Sequence, residues 1–568
     1  MNPSQSLLVQ NIGAVLNSQL PARWSLVPTT NAPSIKRSLN LLAAIWRVEF
    51  IEGDITYPNV THLFVAIDNQ YPRTQPIIWL PQYVHGKSKR WPHIDIYGNL
   101  CLPKSSMADD PAQRVIQHLA WAQSLLNMDP INRRKDFARE AAAYWDQAHD
   151  NKEKIYSLLS LNAESRLIVY SVDNHQTFFA ADTPEELTQY LKNLRSTEKS
   201  AQIYPGYLLW LDSPWLPDEF PVFGSDLLNL IPKNILDQIL VAGRDCLIVI
   251  GAKTDNGIIF LASLLRSQKL SEAMRGFRTT SKLPTMLVHK AFTTKKILKA
   301  NVSRIDGAWV HGRDHDPNYE TLHHKKVVIC GCGSLGASVA RLLAQAGVGT
   351  IHLIDNDTVA SHNASRHILG VGSSGASKVT SLRKLLLADF PHMLEVTAHH
   401  KKFETLTQQE LELIQGADVI VSAGIDISGD LFLDEWRRTH SNESVHVCAW
   451  AEAFAVAGHA VALFNDDSVS AMFDENMEII FRSCDVPESA NHLVAMAGCG
   501  DVFQPHGAIE LQSTVNIAAR IVIDILMNKV ANSTRRTWFG NRDEALQRNL
   551  IPRADFNDDS CIKDFPWH

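Results

Sequence analysis

The sequence between residues 325 and 355 constrains the fold more than any other part of the chain. A turn containing Gly331, Gly333 and Gly336 separates an apolar run from a helical pattern, and a second apolar run follows and leads to Asp355. This order of strand, turn, helix and strand is typical of a doubly wound, Rossmann-like α/β domain. Glycines at such a turn let a phosphate approach the helix N-terminus, and an acid after the second strand can bind ribose hydroxyls. A nucleotide site is expected here, and on these residues alone a Rossmann oxidoreductase stays an open interpretation.

Charged residues further on favour nucleotidyl transfer. Asn363, Arg366 and Lys378 follow the ribose acid, and Asp426 follows an apolar run that begins near Ala417. Arginine and lysine neutralise charge that develops on phosphates, which a dehydrogenase does not need beside the ribose. A carboxylate at the carboxyl end of a strand can hold Mg²⁺ on a triphosphate. The pattern therefore favours ATP and Mg²⁺, with Asp426 as the metal ligand.

These motifs resemble those of ThiF-type adenylyltransferases, the family that includes ubiquitin-activating enzymes and bacterial enzymes of molybdopterin and thiamin biosynthesis. The resemblance covers residues 304–528. It implies that the turn, Asp355, Asn363, Arg366 and Lys378 bind ATP, and that Asp426, with Asp430 as a weaker rival, binds the metal. It also implies a homodimer in which an arginine reaches the partner's ATP site; Arg304 lies at the matching distance, and Arg313 is its rival. The zinc-binding CxxC pairs of many members are missing, and Cys484 has no partner cysteine close by, so no structural zinc is expected.

Cysteines are the natural acceptors of an adenylated carboxylate, because a thiolate is strongly nucleophilic near neutral pH. Cys499 lies in the small-residue stretch Ala-Gly-Cys-Gly-Asp before a helical pattern, where the family carries its thioester cysteine. A buried, unreactive thiol is the alternative for Cys499. Four other cysteines lie in or beside apolar runs and are interpreted as structural: Cys246, Cys330, Cys332 and Cys448.

A second candidate nucleophile is Cys101, in the first part of the chain. A Tyr-Pro turn, a proline-flanked strand and the loop Ile-Asp-Ile-Tyr-Gly-Asn-Leu-Cys precede a helical pattern. This arrangement resembles the ubiquitin-conjugating fold. Where that family has His-Pro-Asn, this chain has Trp91-Pro92-His93. His93 could donate a hydrogen bond in place of the asparagine, help to deprotonate an amine, or only cap the loop.

The chain of 568 residues is too long for one hydrophobic core. We predict three domains: an α+β ubiquitin-conjugating-like domain (1–160), a small α/β bridging domain (161–300) and a Rossmann-like, ThiF-type α/β adenylation domain (301–568). In the first domain we expect a helix, a small antiparallel meander and then helices, including a long one over 134–158. The middle segment shows no catalytic constellation.

The composition and net charge limit the classes of partner that the protein is expected to bind. The net charge is −7 without a long basic run, which argues against nucleic acid or a membrane surface as the main partner. No apolar stretch reaches the roughly 20 residues that span a bilayer, and the N-terminal pattern indicates an amphipathic helix and not a signal peptide. A cytoplasmic protein is expected.

A conjugating-type domain before an activating-type domain resembles the fused conjugases of bacterial CBASS anti-phage operons. That resemblance implies a relay in which a protein C-terminus, that of a cGAS/DncV-like nucleotidyltransferase, is adenylated, passes to Cys499, then to Cys101 and finally to an amine. A sulfur-transfer enzyme and a non-catalytic scaffold with a vestigial conjugating domain are the alternatives.

Overall fold

The architecture comes from a computed structural model that divides the chain into two compact units. The first unit comprises Met1–Tyr156, Leu161–Ala180 and Ile203–Ser303, and the second comprises Ser157–Ser160, Ala181–Gln202 and Arg304–His568. The structure describes residues 3–19, 23–27, 42–50, 53, 55–107, 109–147, 153–195, 202–267, 269, 272, 276, 283–487, 490, 493–495, 502–556 and 559–567.

The first unit begins with a helix and a four-stranded antiparallel sheet in the order β1-β2-β3-β4. Alternating apolar side chains of the strands pack with the first two helices into one core. Asp110 and Asp129 cap the helices α2 and α3, each of which starts with a proline. The elements are α1 (Pro3–Gln19), β1 (Arg23–Val27), β2 (Leu42–Glu49), β3 (His62–Asp68), β4 (Ile77–Trp79), α2 (Pro111–Leu126), α3 (Pro130–Arg139) and α4 (Ala141–Gln147).

The long helix predicted over 134–158 is wrong. α3 ends at Arg139, the short helix α4 follows, and β5 (Lys154–Ser157) is a strand within the predicted range. In β5 Ile155 and Ser157 are buried while Lys154 is exposed, an alternation of period two that suits a strand.

The middle segment is built around a closed barrel in the order β10-β11-β5-β7-β6-β8-β9. The β8–β9 pair is parallel, and β6–β8, β9–β10 and β10–β11 are antiparallel. Trp145 of α4 is fully buried, and its indole N–H lies 3.2 Å from the carbonyl oxygens of Ala262 and Ala300 in the barrel. The elements are β6 (Arg166–Val172), β7 (Thr177–Ala181), α5 (Pro184–Arg195), β8 (Tyr204–Leu211), α6 (Gly224–Leu228), α7 (Lys233–Ile239), β9 (Cys246–Thr254), β10 (Gly257–Leu265), α8 (Thr285–Thr293) and β11 (Leu298–Arg304).

The second unit contains an eight-stranded sheet in the order β14-β13-β12-β15-β16-β17-β21-β23. The five strands from β14 to β16 are parallel, and the last three pairings are antiparallel. Apolar clusters on both faces bury the strands under helices, which confirms the doubly wound fold. The strands are β12 (Lys326–Cys330), β13 (Thr350–Ile354), β14 (Glu395–His399), β15 (Val419–Ala423), β16 (Val445–Ala451), β17 (Ala457–Leu463), β18 (Cys484–Asp485), β19 (Val494–Ala495), β20 (Val502–Phe503), β21 (Thr534–Phe539), β22 (Ile551–Pro552) and β23 (Cys561–Pro566).

From β12 the sheet extends in one direction through β13 and β14, and in the other direction through β15 and β16. Ligands in this fold bind where the strand order reverses in this way. The helices of this unit are α9 (Gly307–Val310), α10 (Tyr319–His323), α11 (Ser334–Gln345), α12 (Lys378–Asp389), α13 (Gln408–Ile414), α14 (Ile427–His440), α15 (Ala508–Leu526) and α16 (Arg542–Gln547). Within the described parts of the chain, no helix has both the length and the apolar character needed to cross a bilayer.

Candidate active site

In the glycine turn that joins β12 to α11, two of the glycines lie very close to backbone carbonyl groups. Gly331 has φ +86°, and a Cβ on it would lie 2.6 Å from the carbonyl oxygen of Ala423. A Cβ on Gly336 would lie only 1.9 Å from the carbonyl oxygen of Gly331. A Cβ on Gly333 would meet nothing within 4 Å. Two of the glycines are thus needed for packing, while the third faces open space where a phosphate can approach.

A cavity of about 360 Å³ opens at this turn. The residues lining it include Gly331, Gly333, Asp355, Lys378 and Asp426. The backbone N–H groups of Cys332 and Asp357 donate to the Asp355 carboxylate, at 2.6 and 2.7 Å. Asp355 is therefore held rigidly at the end of β13, where a ribose could bind.

Lys378 stands at the first position of α12 and is only 8% exposed. Its ammonium lies 2.8 Å from the carboxylate of Asp357, and its backbone N–H donates to the Asp357 carbonyl oxygen. The pair places a cation on the cavity wall without leaving a buried charge unpaired.

Asn363 and Arg366 are not among the described residues that line the cavity. The Asn363 side chain accepts a hydrogen bond from the Ala360 backbone N–H at 3.1 Å and closes a short 3₁₀ turn. Arg366 makes a long contact of 3.5 Å with the His362 carbonyl oxygen. Phosphate contact by these two residues stays a prediction, and it requires their side chains to move toward the cavity.

Asp426 is better suited to a metal ion than Asp430. One Asp426 oxygen accepts from the Gly429 backbone N–H at 2.7 Å, and the side chain is 62% exposed on the cavity wall. Burial raises the pKa of Asp430, which does not line the cavity. An exposed, hydrogen-bonded carboxylate fits the oxygen-ligand preference of Mg²⁺, and such an ion would polarise bound phosphates.

Arg304 is engaged within its own chain. Its guanidinium makes four hydrogen bonds of 2.6 to 2.8 Å to the carboxylates of Asp306 and Asp314, and the residue is 8% exposed. A role of Arg304 in a partner's ATP site stays a prediction, and it requires these hydrogen bonds to break. Its rival, Arg313, is exposed on the following loop.

Cys101 is exposed and borders a second cavity, of about 850 Å³. Its backbone N–H donates to the His93 carbonyl oxygen at 2.8 Å, which joins the cysteine to the residue that departs from the conjugating-family motif. His93 has φ +57°, and its own backbone N–H donates to the Tyr144 hydroxyl. The backbone of His93 therefore fixes the position of Cys101.

The imidazole of His93 lies between two carboxylates of α3 and its C-terminal cap. Nε2 is 3.0 Å from Asp136, and Nδ1 is 3.6 Å from Glu140. The Nε2 hydrogen bond to Asp136, with Glu140 close to Nδ1, holds the ring against α3. Of the three roles left open by the sequence, this geometry favours positioning of the loop.

Cys499 lies outside the described residues. Cys246, Cys330, Cys332 and Cys448 are buried, as predicted, and burial raises the pKa of each thiol, that of Cys246 to about 12. Such thiols are protonated and inaccessible at neutral pH, so they are excluded as acyl carriers.

Sequence interpretation missed several residues at both sites. Lys401 and Lys402 line the nucleotide cavity just after β14, a position that the strand-end rule could have identified. Asp136 and Glu140 line the cavity at Cys101 from a helix that carries no recognisable motif.

Comparison with known proteins identifies the family that one segment of the chain resembles. Residues 311–528 match the model of the ThiF family, which confirms the resemblance predicted for that part of the chain. The chain is 24% identical to an ATP-dependent ubiquitin transferase-like protein Cap2 of Pseudomonas aeruginosa, over 80% of this chain and 83% of that protein. It is 23% identical to a Cap2 of Escherichia coli, over 62% of this chain and 66% of that one. The crystal structure of E. coli MccB has a TM-score of 0.30 to this chain at 17% identity, covering 44% of this chain and 64% of that one.

Proposed function

We propose that this chain, whose residues 311–528 form a ThiF-family domain, is an ATP-dependent conjugating enzyme that activates the C-terminus of a protein and joins it to an amine. The observation that carries the proposal is the occurrence, in one chain, of a nucleotide cavity with an exposed metal-type carboxylate and an exposed cysteine beside a second cavity. A relative aligned over 80% of this chain and 83% of its own length is named an ATP-dependent ubiquitin transferase-like protein, which supports the same activity here.

The first step is attack of the substrate carboxylate on the α-phosphorus of ATP. The bond to the bridging oxygen of the β-phosphate breaks, pyrophosphate leaves, and an acyl adenylate forms. Gly333 gives the phosphates access to the N-terminus of α11, Asp355 holds the ribose, and Lys378 and Arg366 offset charge on the phosphates. Asp426 would hold Mg²⁺. Arg313 or Arg304 of a partner subunit in a homodimer would add a further cation.

Two thioester steps follow. The Cys499 thiolate attacks the acyl carbon and AMP leaves; the Cys101 thiolate then attacks the thioester and releases Cys499 as a thiolate. An amine finally attacks the acyl carbon at Cys101, an amide forms, the thiolate leaves, and the amine proton passes to solvent. His93 keeps the Cys101 loop in place during both exchanges.

The substrate class follows from the resemblance to fused conjugases of CBASS operons. We infer that the activated protein is a cGAS/DncV-like nucleotidyltransferase and that the enzyme acts in the cytoplasm, in anti-phage defence. A pyrophosphate-exchange assay tests the first step: the chain and the candidate protein are incubated with ATP, Mg²⁺ and labelled pyrophosphate. We expect label in ATP only when the candidate's C-terminal residue is present, and roughly a hundredfold or greater loss in Asp426→Asn. Pyrophosphate exchange that continues after that residue is removed would refute the substrate assignment.

A further inference from the structure

Two consecutive lysines line the nucleotide cavity where the chain leaves β14, and their ammonium groups are held very differently. Both carboxylate oxygens of Glu410 bind the Lys401 ammonium, at 2.9 and 2.7 Å. The Lys402 ammonium is 3.6 Å from the nearer oxygen of Asp426, and the two side chains are 55% and 62% exposed. An exposed pair at that distance is weak, so Lys402 is easily released.

The pair also joins two separate parts of the cavity wall. Lys402 precedes the 3₁₀ turn Phe403–Thr405, and Asp426 caps α14; a Cβ on Gly429 of that helix would lie 3.3 Å from the Glu404 carboxylate. The segment after β14 therefore crosses to the start of α14, which follows β15, although two other strands separate β14 from β15 in the sheet. Lys402 reaches the predicted metal ligand from the far side of the cavity.

The ion pairs on the cavity wall indicate a function for Lys402. Four carboxylates line the cavity, those of Asp355, Asp357, Glu404 and Asp426. Lys378 is tied to Asp357 at 2.8 Å, and Lys401 is tied to Glu410. Among the described lining residues, Lys402 is thus the cation with the weakest ion pair. A bound triphosphate carries several negative charges that require cationic partners.

We propose that Lys402 binds the phosphates of ATP and that its pair with Asp426 belongs to the ligand-free protein. Asp426 would serve both Mg²⁺ and Lys402, so an ion held there would free the ammonium for a phosphate oxygen. The lysine keeps the carboxylate partly neutralised before the metal arrives and becomes a phosphate ligand afterwards. This inference rests on the ATP site of the proposed function.

The test is equilibrium binding of ATP with Mg²⁺ to the full-length chain, in wild type and Lys402→Met. Lys384→Met is the matched control, because Lys384 is an exposed lysine of α12 that does not line the cavity. We expect roughly tenfold weaker ATP binding in Lys402→Met and a change below about twofold in the control.

Displacement of bound ATP by adenosine separates phosphate binding from a general effect on the cavity. Since adenosine has no phosphate, we expect its affinity to be the same in wild type and Lys402→Met. Equal ATP affinity in the two proteins, or an equal loss for ATP and adenosine, would overturn the inference while leaving the proposed function intact. Absence of ATP binding in wild type would overturn both.

Discussion

Replacement of Gly336 by alanine tests whether the glycine turn is held by backbone contact. The new Cβ would lie 1.9 Å from the Gly331 carbonyl oxygen and 3.0 Å from the Ala423 Cβ, so α11 has to move away from the turn. Overpacking against backbone costs about 3 kcal/mol, and the higher helix propensity of alanine returns about 1 kcal/mol. The net loss of about 2 kcal/mol lowers the melting temperature of a domain this size by roughly 4–8 °C.

Gly333→Ala is the matched control in the same turn. Gly333 has φ −71°, and its Cβ would meet nothing within 4 Å, so the unfolding free energy should change by less than about 0.5 kcal/mol. The added methyl group does occupy the space through which phosphate approaches, so ATP affinity should fall in both variants. Thermal unfolding followed by circular dichroism distinguishes them. Equal melting temperatures for Gly336→Ala and Gly333→Ala would refute the argument from close approach.

Three further predictions concern the arginines, a buried histidine and the Cys101 loop. Arg304→Ala should lower the melting temperature, because it removes the cation that binds Asp306 and Asp314. Arg313→Ala should leave the melting temperature unchanged and reduce pyrophosphate exchange. The reverse pattern would assign the catalytic role to Arg304. Burial lowers the pKa of His352 to about 4, so this histidine binds a proton at higher pH in the unfolded chain than in the folded one. The melting temperature should therefore fall as the pH drops from about 6.5 toward 4. An equally steep fall in a His352→Gln variant would contradict this. Asp136→Asn should slow acyl transfer at Cys101 without changing adenylation, which single-turnover gels would detect; equal transfer rates would remove the positioning role of His93.

The adenylation fold could be predicted in detail because its signals are local. The glycine turn, the apolar runs and the acid after β13 each lie within a few residues, and β12, α11 and β13 follow in the predicted order of strand, turn, helix and strand. The expected burial of Cys330 and Cys332 followed from the same runs.

The middle barrel and the site contacts could not be predicted in this way, because they depend on residues distant in sequence. β5 lies between β7 and β11 in the barrel, and β11 is far along the chain from it. Two of the four hydrogen bonds of Arg304 depend on the path of the loop that returns Asp314 to it, ten residues on. The carboxylates around His93 come from α3, more than forty residues from the histidine.

The central claim is an acyl relay between two cysteines, and intact mass spectrometry with non-reducing gels tests it most directly. Wild type, Cys101→Ala and Cys499→Ala are each co-expressed with the genes that neighbour this one and purified with ATP and Mg²⁺. The account predicts a thiol-labile adduct that Cys499→Ala abolishes and that Cys101→Ala leaves stalled on Cys499, with a mass that identifies the activated protein. An adduct on Cys101 that forms without Cys499, or no adduct in any variant, would contradict the relay.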